Sequence, residues 1–532
     1  RDKLDSNIEN LLYIVTAFVP FPYLLFLFLV HLPFMVFGLL VAKRNFIKSY
    51  IIGFAVSLIP TVILYTLSNY LDFPLNIFTI SAIFYIPVLA AFFAVFKKKK
   101  TSEIIEIDSR ECLIILAILL SAAYVGNNIV NDFSLFTSNG TYLYTKFELI
   151  VKNINSYGSF PIYDPATSQG ESPFLFESPL VFSHLAFVNV MLPFIPQVTF
   201  YNAFNLFILF LASLSLSALI MSVLEIYFKE KSDIINIIVV VIGSATIGFN
   251  FYFIQLLESF KQFFAFPINY LIFAIILKSQ SFKEIILVLY MIILTFVIHA
   301  PHGVGIVLIS ISLFFLIIIK LFISKEIRNV IHWVLSNKLK VFAICFLLVL
   351  FPAFYTLPPF LFKNFLEEKP KLDLANFAGA SIGYLKAFMT SNSPLSLEYP
   401  DVSRNDDKKF GPFITIFGVI SLFILIIFWA KTPYNLKLFS GAYIMHFFIS
   451  SIVIKFPSIG SLEYSYRTAE PYLLVLLVMS ICAFILLVRN KYAKLLLVLM
   501  LAIGLLHMLY LAKKNIENIH NEEFISGKYF AS

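Results

Sequence analysis

The sequence predicts an all-α polytopic membrane protein with about fourteen transmembrane helices. Three observations carry this. Hydrophobic residues fill 60% of the 532 positions and charged residues 13%, whereas soluble domains run near ~45–50% and ~25%. The mean hydropathy is +0.89. Apolar runs of the ~20 residues needed to cross a hydrocarbon layer ~30 Å thick recur from end to end, without the alternation of membrane-spanning strands.

Taken in order, the runs place spans near 21–42, 49–69, 76–96, 112–131, 199–222, 234–255, 262–278, 284–300, 303–323, 340–362, 411–430, 437–455, 471–488 and 494–512. Residues 1–111 thus hold about three N-terminal helices. Residues 112–362 form a core module with a long loop at 132–178, a second long loop follows at 363–410, and residues 411–532 hold the last helices and a short polar tail. Segment 179–195 is apolar but short, and Pro179, Pro193 and Pro196 surround it.

Charge decides the side of each connection. Lys and Arg collect in cytoplasmic loops, so Lys43–Lys48, Lys97–Lys100, the 320–340 stretch and Arg489–Lys494 belong to one face. The two halves of the chain satisfy this together only if 179–195 does not cross and lies instead as an interfacial helix. Loops 132–178, 363–410 and 456–470 then share the external face, with His299 and His302 at a helix mouth there. The net charge of +8 is accounted for by the same bias. Nucleic acid is excluded as a partner, because no basic stripe interleaves with aromatics. Cys112, Cys345 and Cys482 sit in or at the edge of apolar runs, with no disulfide or metal spacing.

The first external loop is long enough to be functional. Within it, Phe147, Ile150, Val151 and Ile154 recur at three- and four-residue spacing, the pattern of a one-sided helix able to lie on a membrane. Gly158 reads as its stop. Phe160-Pro161-Ile162-Tyr163-Asp164-Pro165 follows, then Gln169-Gly170-Glu171-Ser172-Pro173, then Glu177-Ser178-Pro179-Leu180. Further on come Leu294-Thr295-Phe296-Val297-Ile298-His299 at a helix end and Tyr464-Ser465-Tyr466-Arg467-Thr468-Ala469-Glu470-Pro471 just before a late helix.

From about 112 to 512 this order resembles the GT-C superfamily of membrane glycosyltransferases. It is nearest the archaeal and bacterial membrane-protein group labelled as related to 6-pyruvoyl-tetrahydropterin synthase. The resemblance implies transfer of a sugar from a polyprenyl-phosphate carrier to an external glycan, lipid or protein acceptor, in the plasma membrane and cell envelope of a prokaryote. In such enzymes the first external loop opens with an Asp, which would fall near Asn139–Tyr142, where no acid stands. Asp132 or Asp164 takes the catalytic role, or the chain lacks the usual base. Arg467 suits the phosphate of the departing carrier, because guanidinium forms paired bonds to phosphate oxygens. His299 and His302 are candidates for phosphate or sugar contacts, and Glu148 and Glu463 complete the binding set. Glu171 and Glu177 could orient an acceptor or bind a divalent cation such as Mg or Mn; no cofactor is otherwise demanded. Asn139-Gly140-Thr141 matches a glycosylation sequon.

Two other function classes fit the same composition. A transporter or lipid flippase has a similar number of spans, though such proteins tend to carry repeated halves and charged or broken helices at the midplane. A non-catalytic glycolipid-binding protein is the third. The six remaining histidines read as structural.

Overall fold

A computed structural model describes residues 20–42, 45–98, 109–126, 140–161, 179–225, 234–250, 260–277, 282–298, 410–453 and 462–526, with isolated positions between 312 and 336. Among these residues there is no strand. The helices are α1 (Pro20–His31), α2 (Met35–Ala42), α3 (Phe46–Leu71), α4 (Ile77–Lys98), α5 (Ser109–Val125), α6 (Gly140–Tyr157), α7 (Leu180–Met191) and α8 (Gln197–Val223). They continue with α9 (Ile234–Gly248), α10 (Phe260–Ile276), α11 (Phe282–Ile298), α12 (Pro412–Ile427), α13 (Tyr434–Val453), α14 (Leu462–Leu487) and α15 (Lys491–Ser526). Four described stretches are long and apolar enough to cross a membrane: Pro20–Leu39, Phe46–Leu71, Gln197–Val223 and Lys491–Lys514. By length and composition these mark a membrane protein. The expected spans 303–323 and 340–362 fall almost wholly outside the described residues.

The centre of the bundle is α8, 27 residues long and buried over nearly its whole length. A helix that is apolar all round belongs inside a bundle. Three of its four serines are accommodated by back-bonding: Ser215 Oγ donates to Leu211 O, Ser217 Oγ to Leu214 O and Ser222 Oγ to Ala218 O. Around it pack α1, α3, α5, α9, α10 and α13. Apolar faces of α12 and α15 remain outward, with Phe423 64% and Leu506 66% exposed. That is the surface a lipid solvent leaves uncovered.

The first span is interrupted. Pro33 cannot donate an amide to the preceding turn, and Leu32–Phe34 tighten into a 3-10 turn between α1 and α2. Neighbouring side chains take up nearby carbonyls, as broken membrane helices require. Tyr50 Oη donates to Phe28 O at 3.0 Å, and Tyr85 Oη donates to Val30 O at 3.1 Å. Close approach of α3 to this break depends on Gly53. A β-carbon there would lie 2.7 Å from Met35 N and from the Phe34 carbonyl carbon.

Contacts sort the helix ends into two groups. At one end, Phe46 N donates to Glu111 Oε2 at 2.9 Å, joining the starts of α3 and α5, and Asn435 Nδ2 donates to Ser222 O, joining α13 to the end of α8. At the other end, Leu75 N donates to Gly158 O, Phe147 stacks on Phe200, Lys513 lies over the Tyr124 ring and Asn250 Nδ2 donates to Phe410 O. This is the grouping that the charge rule demanded of the connections between these helices.

Two expected elements differ in placement. Segment 179–195 forms the short helix α7, whose side chains from Leu180 to Val190 are all buried. It is inserted among α3, α4, α6, α8 and α11. At about 1.5 Å per residue its twelve residues span only about 18 Å, too short to cross. Helix α6 buries the anticipated stripe Phe147, Ile150, Val151 and Ile154. That stripe faces α7 and α8 instead of lipid, because Phe200 and Tyr201 offer an aromatic surface for Phe147.

Candidate functional site

Helix α6 ends where Gly158 takes φ +64, a left-handed conformation that glycine adopts without strain. Its carbonyl accepts the Leu75 amide at 2.6 Å, tying the loop to the α3–α4 turn. Two residues on, Phe160 is buried, edge-on to Tyr65 with ring centroids 4.9 Å apart, and its amide donates to Ser68 Oγ at 3.3 Å. The Phe-Pro-x-Tyr-Asp-Pro stretch therefore starts from a fixed point at the end of α3. Asp164 itself, with Asp132, Glu171, Glu177, His299 and His302, lies outside the described residues.

Glu148 is on α6, paired with Lys152 at 2.9 Å in an i,i+4 bridge. Lys152 is 67% exposed, and such surface pairs contribute little. Glu148 marks the wet face of its helix. One turn earlier, burial and then the Glu148 carboxylate push the Tyr144 hydroxyl up to about 12. Arg467 was expected just before a helix; it stands inside one, since α14 begins at Leu462 and carries Pro471 within it. Glu463 and Glu470 share that helix, four residues before and three after Arg467. Leu477 of α14 touches Gly418 of α12, and Cys482 touches Gly243 of α9. With those neighbours, the first turns of α14 lie at the same bundle end as Gly158 and Phe160.

Two polar constellations inside the bundle were not anticipated. His31 closes α1 at the break, His184 sits on α7 and Thr61 on α3, and all three are buried. His31 Nδ1 lies 2.8 Å from Leu27 O, the two Nε2 atoms are 3.1 Å apart, and His184 Nδ1 is 2.9 Å from Thr61 Oγ1. With both rings neutral, only one proton assignment satisfies every bond. The Leu27 carbonyl can only accept, so His31 carries its proton on Nδ1. His184 Nε2–H then donates to His31 Nε2, and Thr61 donates to His184 Nδ1. Phe54, Phe84, Phe204, Phe207 and Phe264 surround the pair. The helices that supply it are distant in sequence, and no local motif announces it; a His inside a short apolar segment was the one available signal.

The second constellation joins α10, α11, α13 and α14. Thr295 Oγ1 donates to Asn269 Oδ1 at 2.9 Å, and Tyr472 lies beside Asn269. The His446 ring stands edge-on to Tyr472 at 6.0 Å. Both His446 ring nitrogens are buried with no hydrogen-bond partner among the described residues. Tyr472 is five residues beyond Arg467 on α14, so this polar interior lies beneath the turn that carries the arginine.

No family model, curated protein or solved structure matches the chain.

Chemically, the described residues supply hydrogen bonding. Among them, no three His, Cys, Asp or Glu side chains are grouped to hold an ion. Asp164, Glu171 and Glu177 follow the fixed point at Phe160 in the chain, and His299 and His302 follow Ile298.

Proposed function

We propose that the chain is a GT-C-type membrane glycosyltransferase of about fourteen spans, transferring sugar from a polyprenyl-phosphate donor to an acceptor on the external side of a prokaryotic plasma membrane. The observation that carries this reading is the shared bundle end of two elements far apart in sequence. One is the anchored start of the Asp164 loop, at Gly158 and Phe160; the other is the helical turn bearing Arg467. A carboxylate, Asp132 or Asp164, would deprotonate or orient the acceptor hydroxyl. Arg467 would neutralise the phosphate as the lipid departs. A donor with a hydrocarbon tail arrives sideways from the bilayer, so its reacting bond belongs at a bundle end.

The test is incubation of purified protein with radiolabelled polyprenyl-phosphate sugars, comparing the native chain with Asp132→Asn, Asp164→Asn and Arg467→Ala. Sugar release or transfer by the native chain, lost with Arg467→Ala and with one of the two acids, is the expected result. Unchanged turnover in all three variants removes these residues from the site.

A second reading, a transporter or flippase, draws on a different observation. Ionisable residues within membrane helices commonly mark transport or proton pathways, and His31–His184 is such a pair beside a broken helix. Uptake that depends on a proton gradient and is lost with His184→Leu would favour it.

A further inference from the structure

Between the outward faces of α12 and α15 there is a cavity of about 280 Å³. That is close to the lower end of the ~300–1,000 Å³ of small-molecule sites. Its walls include Phe410, Phe413, Met500, Ile503, His507 and Leu511, and apart from His507 they are almost wholly apolar. The back wall is fixed, because Asn250 Nδ2 donates to Phe410 O at 3.3 Å and approaches Met508 Sδ at 3.8 Å. Gly504 keeps the crossing tight: a β-carbon there would lie 2.7 Å from the Phe413 ring. The rim is outward-facing, with Met500 42% and Ile503 59% exposed, and Val419, Ile420 and Leu506 continue the exposed apolar surface. The cavity therefore opens sideways, toward whatever solvates those side chains.

Charge and length say what fills it. On α15, positions 500, 504, 507, 511 and 514 recur at three- and four-residue spacing, so Lys514 continues the stripe that lines the cavity. Its neighbour Lys513 is engaged over the Tyr124 ring at 5.1 Å, whereas Lys514 is exposed. From Met500 to Lys514 the helix rises about 21 Å, which equals half of a bilayer about 40–45 Å thick including its headgroups. An apolar slot one leaflet deep, with a histidine partway up and an exposed lysine at the top, complements one acyl chain beneath an anionic headgroup.

We propose that the α12–α15 cleft is a binding site for an anionic membrane phospholipid, with one acyl chain seated against Phe413, Ile503 and His507 and the headgroup phosphate on Lys514. The site is independent of the transfer reaction proposed above. Phosphatidylglycerol is the probe, and phosphatidylcholine tests the charge. Purified full-length protein in mild detergent is titrated with each lipid, and bound lipids are counted by native mass spectrometry.

One phosphatidylglycerol retained about five-fold more tightly than phosphatidylcholine is the expected result, the contribution of a single lysine near a membrane surface. Lys514→Glu abolishes that preference. Gly504→Leu and, from the rim, Met500→Trp weaken retention of both lipids, while Lys494→Glu on the same helix leaves it unchanged. Equal retention of the two headgroups by the native chain overturns the proposal, as does undiminished phosphatidylglycerol binding in both Lys514→Glu and Met500→Trp. Displacement of the lipid by added polyprenyl phosphate at equal concentration also overturns it, assigning the cleft to the donor.

Discussion

Replacing His184 by Leu keeps an apolar side chain of similar size in the aromatic cage but removes two hydrogen bonds, to His31 Nε2 and from Thr61 Oγ1. A buried polar atom left bare in a soluble protein costs ~1–3 kcal/mol. In a membrane protein the unfolded helices find other partners, and a lost interhelical bond costs nearer ~0.6 kcal/mol, ~1.7 at most. Two bonds therefore put His184→Leu at about 1–3 kcal/mol of lost stability. His31→Leu loses the same inter-ring bond and, with it, the bond to Leu27 O. Because the inter-ring bond is shared, the double variant should lose less than the two singles added, by about 0.6–1.7 kcal/mol. Denaturant- or heat-driven unfolding in detergent, read for the native chain and the three variants, measures this coupling directly. Losses that add to within about 0.3 kcal/mol would refute the bonded pair, and with it the proton assignment running from Thr61 to Leu27.

Three other predictions follow from the packing and from α6. Gly53→Ala drives a methyl group into the backbone of Phe34 and Met35, which cannot rotate away; overpacking of this kind costs ~1–3 kcal/mol and should appear as a lower unfolding temperature. Phe160→Ala removes the buried ring that anchors the loop after α6; the loss expected for a buried phenylalanine is ~3–5 kcal/mol, and protease cleavage between 161 and 179 should accelerate even where the bundle survives. Tyr144 has its folded hydroxyl raised to about 12 from the ordinary 10.0. The unfolded chain therefore releases that proton first, so the stabilising contribution is complete below pH 10.0 and is lost as pH rises toward 12; in an alkaline titration followed by phenolate absorbance, the late phase should be smaller by one tyrosine in Tyr144→Phe.

How far the fold could be read from residue order depends on the range of the interactions concerned. The stripe Phe147, Ile150, Val151 and Ile154 and the stop at Gly158 are local, and both emerge where spacing and glycine chemistry put them. The charge rule grouped the helix ends because it counts residues near each span and needs no contact. What it could not supply was depth. For α7 it excluded crossing without distinguishing a helix laid on the bilayer from one drawn into the bundle. The clue was present, since Leu180–Val190 carries no charged side chain and only Ser183, His184 and Asn189 as polar ones, too few for a wet face at an interface. Arg467 was misplaced for a related reason. Tyr464-Ser465-Tyr466-Arg467-Thr468 is polar enough to read as a connection, yet α14 runs through it as a helix that starts before its apolar stretch. Helix α15 likewise continues to Ser526, through residues whose polarity reads as a tail. The pairing of His31 on α1 with His184 on α7 spans 153 positions. Nothing in the neighbourhood of either residue encodes it, and only the folded bundle brings the rings together.

The enclosure of α7 constrains how the chain must be assembled. A twelve-residue segment gains little from dissolving alone in hydrocarbon, because it cannot reach the far side and its exposed ends would carry unmet amides and carbonyls. Its seat is bounded by α3, α4 and α6, made before it, and by α8, α11 and Phe264 of α10, made after it. Its enclosure is complete only once α8, α10 and α11 are all in place. The meeting of His184 with Thr61 and His31 is therefore a late step in assembly, sensitive to changes in α8, α10 or α11.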